Sequence, residues 1–426
     1  FYASNMVMHG YIKNMAEDII LHTIKNDIYY NYNGESYEEA GYSLYPEIFA
    51  VDSEYNAIND DKNINLKMGE KMDKKLNLKM LEELTLANGV SGFEDEAVEI
   101  AKTYLSSTLE VHTDSMLNTY IRRGKNDESL PTVMLDAHID EVGFIVQSIK
   151  ENGLIRIIPL GGFVAHNLPS HRVKIRNAEN KLISGIITGS PVHYKDKNSE
   201  VTTDSLFVDV GAVNIDEVKN IYKIGIAMPV TLESVFEYDE ETDIAKGKAF
   251  DCRAGVCSVI EMMNALEKEE LAVNIVGTLT SQEEVGTRGI QVAVNKVKPD
   301  IAIVMEGTPA DDTFGESYQI QTRIKKGPML RHMDPKMIAN PRFQRFALDI
   351  AKKYDIACQD AVRTGGGTNG MAIHTSNDGV PTIVIGVPVR YPHTSNGIIA
   401  YQDYENMVKL ATAIIRELNR ETVQKF

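Results

Sequence analysis

Glu283 and Glu284 stand side by side in Leu279-Thr280-Ser281-Gln282-Glu283-Glu284-Val285-Gly286-Thr287-Arg288-Gly289, directly after residues 273–280, an apolar run with the pattern of a buried strand. Successive strand side chains point to opposite faces. The pair can therefore serve one site only where the strand has ended and the chain turns, as Gly286 and Gly289 permit. Open α/β sheets place their ligands at such carboxyl ends of strands. Two carboxylates this close resist joint ionisation unless cations or donors lie beside them, which points to a metal site.

The same kind of placement, a polar residue at the end of an expected strand, picks out five further residues. They are His138 and Asp140 after 131–138, Asp251 just ahead of a helical segment, Glu306 in Val304-Met305-Glu306-Gly307-Thr308, and His393 in Val389-Arg390-Tyr391-Pro392-His393-Thr394. Two histidines and several carboxylates suit a pair of divalent ions, zinc first, with cobalt and manganese accepted by the same nitrogen and oxygen donors. A two-metal centre needs one carboxylate to bridge ions about 3.5–4 Å apart. Asp251, short and fixed at a strand-to-helix turn, is the candidate. Asp140 shares a face with His138 if the strand continues, and can then accept the imidazole's other N–H. A glutamate left off the metals can take the proton from a water that the ions activate. The reaction class is metal-assisted hydrolysis of an acyl bond. Each residue alone has a plainer explanation. A histidine at a strand end is ordinarily structural, as expected of His166 and His374; Asp251 could be a helix cap, and Glu306 half of an ion pair with Arg323. Their common placement at sheet ends is what argues for one site.

The elements that must position these residues form an α/β pattern. Helices are expected over 76–86 and 94–109, separated by Gly89-Val90-Ser91-Gly92 with Ser91 as cap of the second. Residues 144–248 change texture. Short β-rich runs at 143–149, 154–159, 172–175, 182–187, 206–210 and 227–230 are divided by turn signals such as Asn152-Gly153, with almost no helical periodicity. This predicts an all-β domain inserted into the α/β one, because α/β spacing then resumes. Residues 252–270 form an amphipathic helix with Val256, Val259, Ile260, Met263 and Leu266 on one face, followed by helix 289–297, strand 301–305, helix 342–354, strands 356–362 and 382–387, and helix 404–418. The alternation implies a mostly parallel central sheet flanked by helices, with catalytic parts at 72–143 and 249–426.

Residues 1–71 differ, holding nine of the nineteen tyrosines and a polar run at 56–65. Gly69-Glu70-Lys71 must be encoded by GGN-GAR-AAR, which resembles a bacterial ribosome-binding site ahead of Met72. The expectation is an atypical extension, disordered or not native, with the natural start at Met72. The net charge of −17 argues against nucleic acid or an anionic membrane as partner. Cys252, Cys257 and Cys358 make no disulfide framework, which fits a reducing cytoplasm. No apolar run approaches the roughly 20 residues that span a bilayer, and no secretion signal precedes the globular pattern.

Five motifs then occur in order: Asp136-Ala137-His138-Ile139-Asp140-Glu141-Val142-Gly143, Pro159-Leu160-Gly161-Gly162, Lys248-Ala249-Phe250-Asp251-Cys252-Arg253-Ala254-Gly255, Ser281-Gln282-Glu283-Glu284-Val285-Gly286, and Arg390-Tyr391-Pro392-His393-Thr394. Through them, from about residue 76 to the carboxyl terminus, the chain resembles the dinuclear metallo-aminopeptidases of the glutamyl-aminopeptidase family. Members of that family form tetrahedral assemblies, and some have carried an endoglucanase or cellulase M label. The resemblance implies that His138, Asp251 and Glu306 hold one ion, that Asp251, Glu284 and His393 hold the other, that Glu283 is the general base, and that Asp140 orients. It implies short peptide substrates, and dimers formed through the inserted β domain that assemble into a dodecamer. Two positions depart from the family pattern. Glu306 stands where many members have Asp, and Asn369 where Gly-Gly-Thr-Asp is common near the substrate pocket.

Three other readings compete. A dinuclear carboxypeptidase or deacylase ordinarily carries its extra domain after the paired glutamates, whereas here the insertion lies between His138 and Asp251. A glycosidase needs two carboxyl groups flanking a bond, not five metal-type ligands with two histidines. An inactive peptide-binding assembly protein has no need of a complete set of ligands and base.

Overall fold

The computed structural model describes residues 73–124, 126–189 and 201–426; the expected extension at 1–71 lies outside the described residues. Helices α1 (Lys74–Leu86) and α2 (Asp95–Thr103) lead into strands β1 (Glu110–Thr113), β2 (Thr119–Arg122) and β3 (Thr132–His138). Next, β4 (Gly143–Ile149), β5 (Ile155–Leu160), β6 (Arg172–Arg176), β7 (Leu182–Ile187), β8 (Phe207–Asp209) and β9 (Pro229–Leu232) close into a barrel in the order β4-β5-β8-β7-β6-β9. The chain continues through a short helix α3 (Ile215–Asn220, between β8 and β9), the hairpin β10 (Glu237–Asp239) and β11 (Ile244–Gly247), then α4 (Phe250–Ala265), β12 (Asn274–Thr280), α5 (Arg288–Val297) and β13 (Ile301–Pro309). It ends with β14 (Met329–Asp334), β15 (Met337–Ile338), α6 (Pro341–Lys353), β16 (Gln359–Val362), α7 (Gly370–Ile373), β17 (Thr382–Val389), β18 (Gly397–Ala400), α8 (Tyr401–Glu417) and α9 (Arg420–Val423).

Four strands at the centre of the large sheet, in the order β12-β3-β13-β17, are parallel. Antiparallel pairs flank them: β1 and β2 on one side, β14 and β15 on the other. The expected parallel sheet is thus the middle of a nine-stranded mixed one. Alternation along the central strands sorts their side chains. Val133, Leu135 and Ala137 of β3 and Ile301, Ile303 and Met305 of β13 pack in the core under α4 and α8, while Met134 of β3 and Ala302 and Val304 of β13 pack under α5 and α7. Asp136, His138 and Glu306 follow the second parity, so both candidate ligands arrive on one face at the carboxyl ends of neighbouring strands. Glu306 lies inside β13, which runs on to Pro309, whereas the sequence placed it just past a strand end.

Helix α4 is buried on nearly all sides, not on one face as expected, because α1 and α8 cover the side away from the sheet. Its polar residues are paired. Glu261 accepts from Asn77 at 3.0 Å and from the Tyr404 hydroxyl at 2.9 Å. The barrel's last strand ends at Leu232; β10 pairs with β11, and β11 with β18, in a separate three-stranded sheet. The alternation of those two short strands looks the same whichever sheet they join. Among the described residues no helix is long and apolar enough to cross a membrane.

Where the chain leaves β3 and re-enters α4, a buried ion pair fastens the two crossings together. Lys248 Nζ donates to both Glu141 oxygens at 2.6 Å and to the Ala87 carbonyl at 3.0 Å. Glu141 also accepts from the Gly89 N–H at 3.0 Å, and the Arg253 guanidinium lies 3.8 Å away. Burial lowers the Lys248 pKa, and Glu141 opposes that shift. Removing one member of such a cluster leaves uncompensated charge in the interior. Glu141→Leu, which strands Lys248 and Arg253, is expected to lower unfolding stability by about 3–5 kcal/mol, read as a shift in the urea midpoint.

Candidate metal centre

The structure brings Asp251, Glu283, Glu284, Glu306 and His393 to one cavity at the carboxyl edge of the sheet, with the buried His138 behind them against Asp251 and Glu306. Four of the contacts carry the geometry. His138 Nε2 lies 3.1 Å from Asp251 Oδ1 and 3.3 Å from Glu306 Oε1; His393 Nε2 lies 3.5 Å from Asp251 Oδ2 and 3.3 Å from Glu284 Oε1. Asp251 thus turns one oxygen to each imidazole, and two three-membered donor sets share it.

His138 and Glu306 ride on strands, whereas Asp251, the Glu283-Glu284 pair and His393 reach this place through turns that the local sequence would otherwise resist. Ala249, Gln282, Tyr391 and His393 have φ of 52°, 55°, 56° and 57°, in the left-handed region that side chains disfavour. They stand two residues before Asp251, immediately before Glu283, and at the His393 turn. Such conformations cost of order 1–3 kcal/mol each and persist only where the surroundings enforce them. One enforcing contact involves Gly307. A Cβ there would sit 2.6 Å from Asp251 Cα, so glycine is what lets β13 run against the Asp251 backbone.

Asp140 holds the centre together. Strand β3 ends at His138, so Asp140 does not share its face by alternation; a turn brings it round. Asp140 Oδ1 accepts from the Glu283 N–H at 2.9 Å and lies 3.3 Å from His138 Nδ1, while Oδ2 accepts from the Glu284 N–H at 3.1 Å and the Ser91 hydroxyl at 2.6 Å. Ser91 therefore serves Asp140 and is not the expected cap of α2, whose cap position is Glu94. Burial works against charge on Asp140, yet His138, Ser91 and the Glu283 N–H together hold its pKa below the ordinary carboxylate value. With Nδ1 donating to the Asp140 backbone carbonyl at 3.2 Å, beside Oδ1, His138 presents Nε2 to Asp251 and Glu306. His393 is oriented by a group that no side-chain signature announces. Its Nδ1 donates to the backbone carbonyl of Gly162, in the loop after β5 of the barrel, at 2.8 Å.

Protonation reflects crowded acids. Burial pushes Glu306 up to about 7, with His138 opposing. Burial also raises Glu283 well above its usual value, and Glu284, Glu306 and Asp140 add to the effect. Burial alone would lower His393, but the Asp251 and Glu284 carboxylates overcome it and lift the pKa to about 11. Glu306 Oε2 is buried with no hydrogen-bond partner. An acidic cluster with two imidazoles aimed into it and an orphaned carboxylate oxygen fits divalent cations. Ligand atoms of His138, Asp251 and Glu284 lie within 4.8 Å of one another, as do those of His138, Cys252 and Glu306. Cys252 escaped sequence reasoning. Its thiol donates to the Met305 carbonyl at 3.0 Å, and burial with Glu306 nearby pushes its pKa well up, which disfavours the thiolate a metal needs.

Other expectations fall elsewhere. Asn369 does not face the cavity. It is buried under the strand ends, donating to Asp136 Oδ2 and Thr280 Oγ1, each at 2.8 Å. His374 bonds the Gly370 carbonyl at 2.8 Å, as a structural histidine does. Glu306 pairs with His138, not with Arg323. The cavity, about 550 Å³, also takes Arg331, Lys336 and Arg363 into its lining, none of which carried a sequence signal for this site, together with the Gly365-Gly366-Gly367 loop, which the family pattern sets near the substrate pocket.

Comparison with known proteins agrees in every direction. The family model for M42 glutamyl aminopeptidases matches residues 118–410. The glutamyl aminopeptidase of Lactococcus lactis subsp. cremoris is 31% identical over 349 residues, 80% of this chain and 96% of that protein. The crystal structure of a TET aminopeptidase from the marine sediment archaeon Thaumarchaeota archaeon SCGC AB-539-E09 superposes with a TM-score of 0.79 at 32% identity, covering 82% of this chain and 99% of its own. The PhTET1 dodecamer superposes at 0.72 with 25% identity, covering 80% and 99%.

Ions entering this cluster must displace protons. A group whose pKa is raised to about 7, as for Glu306, is deprotonated above that pH and protonated below it, so affinity rises with pH through 7 and is lost as pH falls. We expect metal uptake to release at least one proton, and affinity to weaken about tenfold per pH unit below 7 for each proton displaced. Calorimetric titration of the metal-free protein with zinc, in buffers of different ionisation enthalpy, counts the protons directly.

Proposed function

The chain belongs to the M42 glutamyl aminopeptidase family and is a metal-dependent aminopeptidase, and on that premise we propose that its centre is dinuclear. In this reading His138, Asp251 and Glu306 hold one divalent ion, and Asp251, Glu284 and His393 hold the other. Zinc is the first candidate, and cobalt or manganese suit the same donors. Bound there, the ions would polarise the peptide carbonyl and lower the pKa of a water beside it.

Glu283 carries the proposal. Among the described residues no group bonds its carboxylate, although its backbone N–H is fixed on Asp140 and its neighbour Glu284 faces His393. A carboxylate held beside the ligands but bound to nothing can take a proton from the attacking water at one oxygen and deliver it to the departing amine. Asp140 acts through others, fixing the Glu283-Glu284 turn and the His138 tautomer. Glycosidase chemistry fits less well, because these carboxylates converge on two imidazoles and do not flank an open bond site.

The amino-terminal residue of the substrate we propose to be acidic. From the β14 and β16 side of the sheet, three cations line the cavity. Arg331 is tied to Asp334 at 3.1 Å and Arg363 to Asp311 at 2.7 Å, whereas Lys336 has no hydrogen-bond or ion-pair partner for its side chain among the described residues. An exposed, unpaired ammonium group at the wall of an otherwise acidic site is a counter-charge for a substrate carboxylate. As in the PhTET1 dodecamer, we propose that copies assemble, using apolar side chains such as Ile186, Val213 and Ile226 on the barrel, which are 50%, 71% and 71% exposed.

Glu283→Gln should lower kcat by about 10²–10⁴-fold while metal content, measured by mass spectrometry of the purified protein, stays at the native level. Undiminished turnover would remove Glu283 as the base. On a panel of aminoacyl-anilides, Lys336→Glu should depress kcat/KM for glutamyl relative to leucyl substrates by at least about tenfold. An unchanged ratio would detach Lys336 from specificity.

A further inference from the structure

Beyond His393 the site opens into a second cavity, about 740 Å³, that shares Asp251, Pro309 and His393 with the first. Its character is opposite. Apart from Asp251 and His393, its lining contains no carboxylate, lysine or arginine. The walls are Phe163, Val164 and Leu168 from the barrel side and Phe314 and Tyr391 from the sheet domain.

Leu168 is buried and Phe163 half-buried, whereas the other three side chains are exposed. Phe314 is 81% exposed, Val164 55% and Tyr391 40%. Phe163 stacks on the buried Phe144 with ring centres 4.6 Å apart, and Phe314 meets Tyr391 edge-on at 5.9 Å. The loop carrying Phe314 is pinned on both sides. Asp311 accepts from Arg363 at 2.7 Å and from the Thr322 N–H at 3.0 Å, and Asp312 accepts from both Nε and a terminal nitrogen of Arg390, at 2.9 and 2.7 Å. An aromatic side chain fixed in water stabilises little in the free protein. A contiguous apolar patch of this kind marks a binding surface.

We propose that this cavity receives the side chain that follows the scissile bond, and that the protein prefers an apolar or aromatic residue there. The inference rests on the aminopeptidase reading and adds a second specificity position to it. Continuity with the metal centre assigns the occupant. An exopeptidase holds one residue on the amino side of the bond, and the first cavity, bounded by the Gly365-Gly366-Gly367 loop and the tied arginines, suits a single side chain. The departing peptide has no fixed length and must leave through an open surface. The apolar cleft between barrel and sheet domain adjoins the ligands on that open side. Besides its apolar walls the lining offers only Asn167, His171, Thr394 and Asn396 as further polar groups and no lysine or arginine, so an acidic side chain at the second position would exchange water for few partners.

The test is a comparison of dipeptides that share whichever amino-terminal residue the metal-loaded protein cleaves fastest and that end in Phe, Gly or Asp, with the released amino acid quantified by chromatography. The Phe-ending dipeptide should exceed the Gly-ending one in kcat/KM by at least about tenfold, the discrimination that one apolar pocket can supply, with the Asp-ending one lowest. Phe314→Ala and, separately, Val164→Ser should shrink the Phe-over-Gly ratio toward one; Phe314 stands in solvent, so its removal leaves the core intact. A native ratio near one, or a ratio that Phe314→Ala leaves unchanged, overturns the proposal while the aminopeptidase reading stands. Failure to cleave any dipeptide would sink both.

Discussion

The carboxylate of Asp140 is the constraint from which the centre follows. It takes hydrogen bonds from two successive backbone N–H groups, those of Glu283 and Glu284, while its other contacts are the Ser91 hydroxyl and the His138 ring. Adjacent strands β3 and β12 end at the same level, Thr280 opposite His138, and the Ile139 N–H donates to the Thr280 carbonyl at 2.7 Å. Past that rung the strands have no ladder left to align them. Asp140 continues the alignment by other means, so that an acid from one strand's turn faces an imidazole from its neighbour. Hydrogen bonds to an ionised acceptor are the stronger kind, and their burial keeps water from competing.

Such anchoring matters because the site is built from disfavoured backbone. Gln282, Ala249, Tyr391 and His393 would relax to ordinary conformations if released, and each relaxation would turn a ligand out of the cluster. The sheet core supplies the counterweight. Tightly buried strands β3, β13 and β17 cannot shift, and the Glu141–Lys248 pair fastens the segment before Asp251 to the turn after Asp140. Burial, with repulsion among the acids adding to it, raises the pKa of Glu306 and of Glu283, and cations are the natural occupants of such a cluster.

Much of this was legible in the sequence, for a physical reason. Polar residues shortly after apolar runs stand at the exits of buried strands, so His138, Glu283, Glu284 and His393 could be named from order alone, and Asp251 from its place just before a helix. What stayed hidden lacked such a signal. Strand β1, at the sheet edge, is short and mixed in polarity, because an edge needs no continuous apolar run, and β14, though paired to β17 and β16, has its apolar run broken by Arg331 and His332. Ser91 sits in a turn where capping is the commoner use of serine, and only the fold brings Asp140 to it. Gly162 contributes a carbonyl, which every residue possesses. The departure at Asn369, which looked like a lost charge in the substrate pocket, proves to lie beneath the strands, where its amide donates to Asp136 and Thr280. An acid there would need a shared proton to replace the first of those bonds.

The barrel's place in the chain follows from the same geometry. Its insertion point lies between Asp140 and Asp251, so the polypeptide departs from the cluster of acids and imidazoles and returns to it. The loop after β5 then lies over the cavity. Gly161, with a φ of 92°, fits where a Cβ would press within 2.6 Å of Val142 and 3.2 Å of Glu284, and the next residue offers its carbonyl to His393. A side chain in that loop would force it away from Glu284 and take the carbonyl with it. The barrel is therefore a part of the site as well as an appendage to it, since it sets the tautomer of one imidazole and supplies one wall of the apolar cleft. A sheet domain without it would keep His138 and Asp251 together yet leave His393, on a strained turn with a third of its side chain exposed, with nothing to aim it.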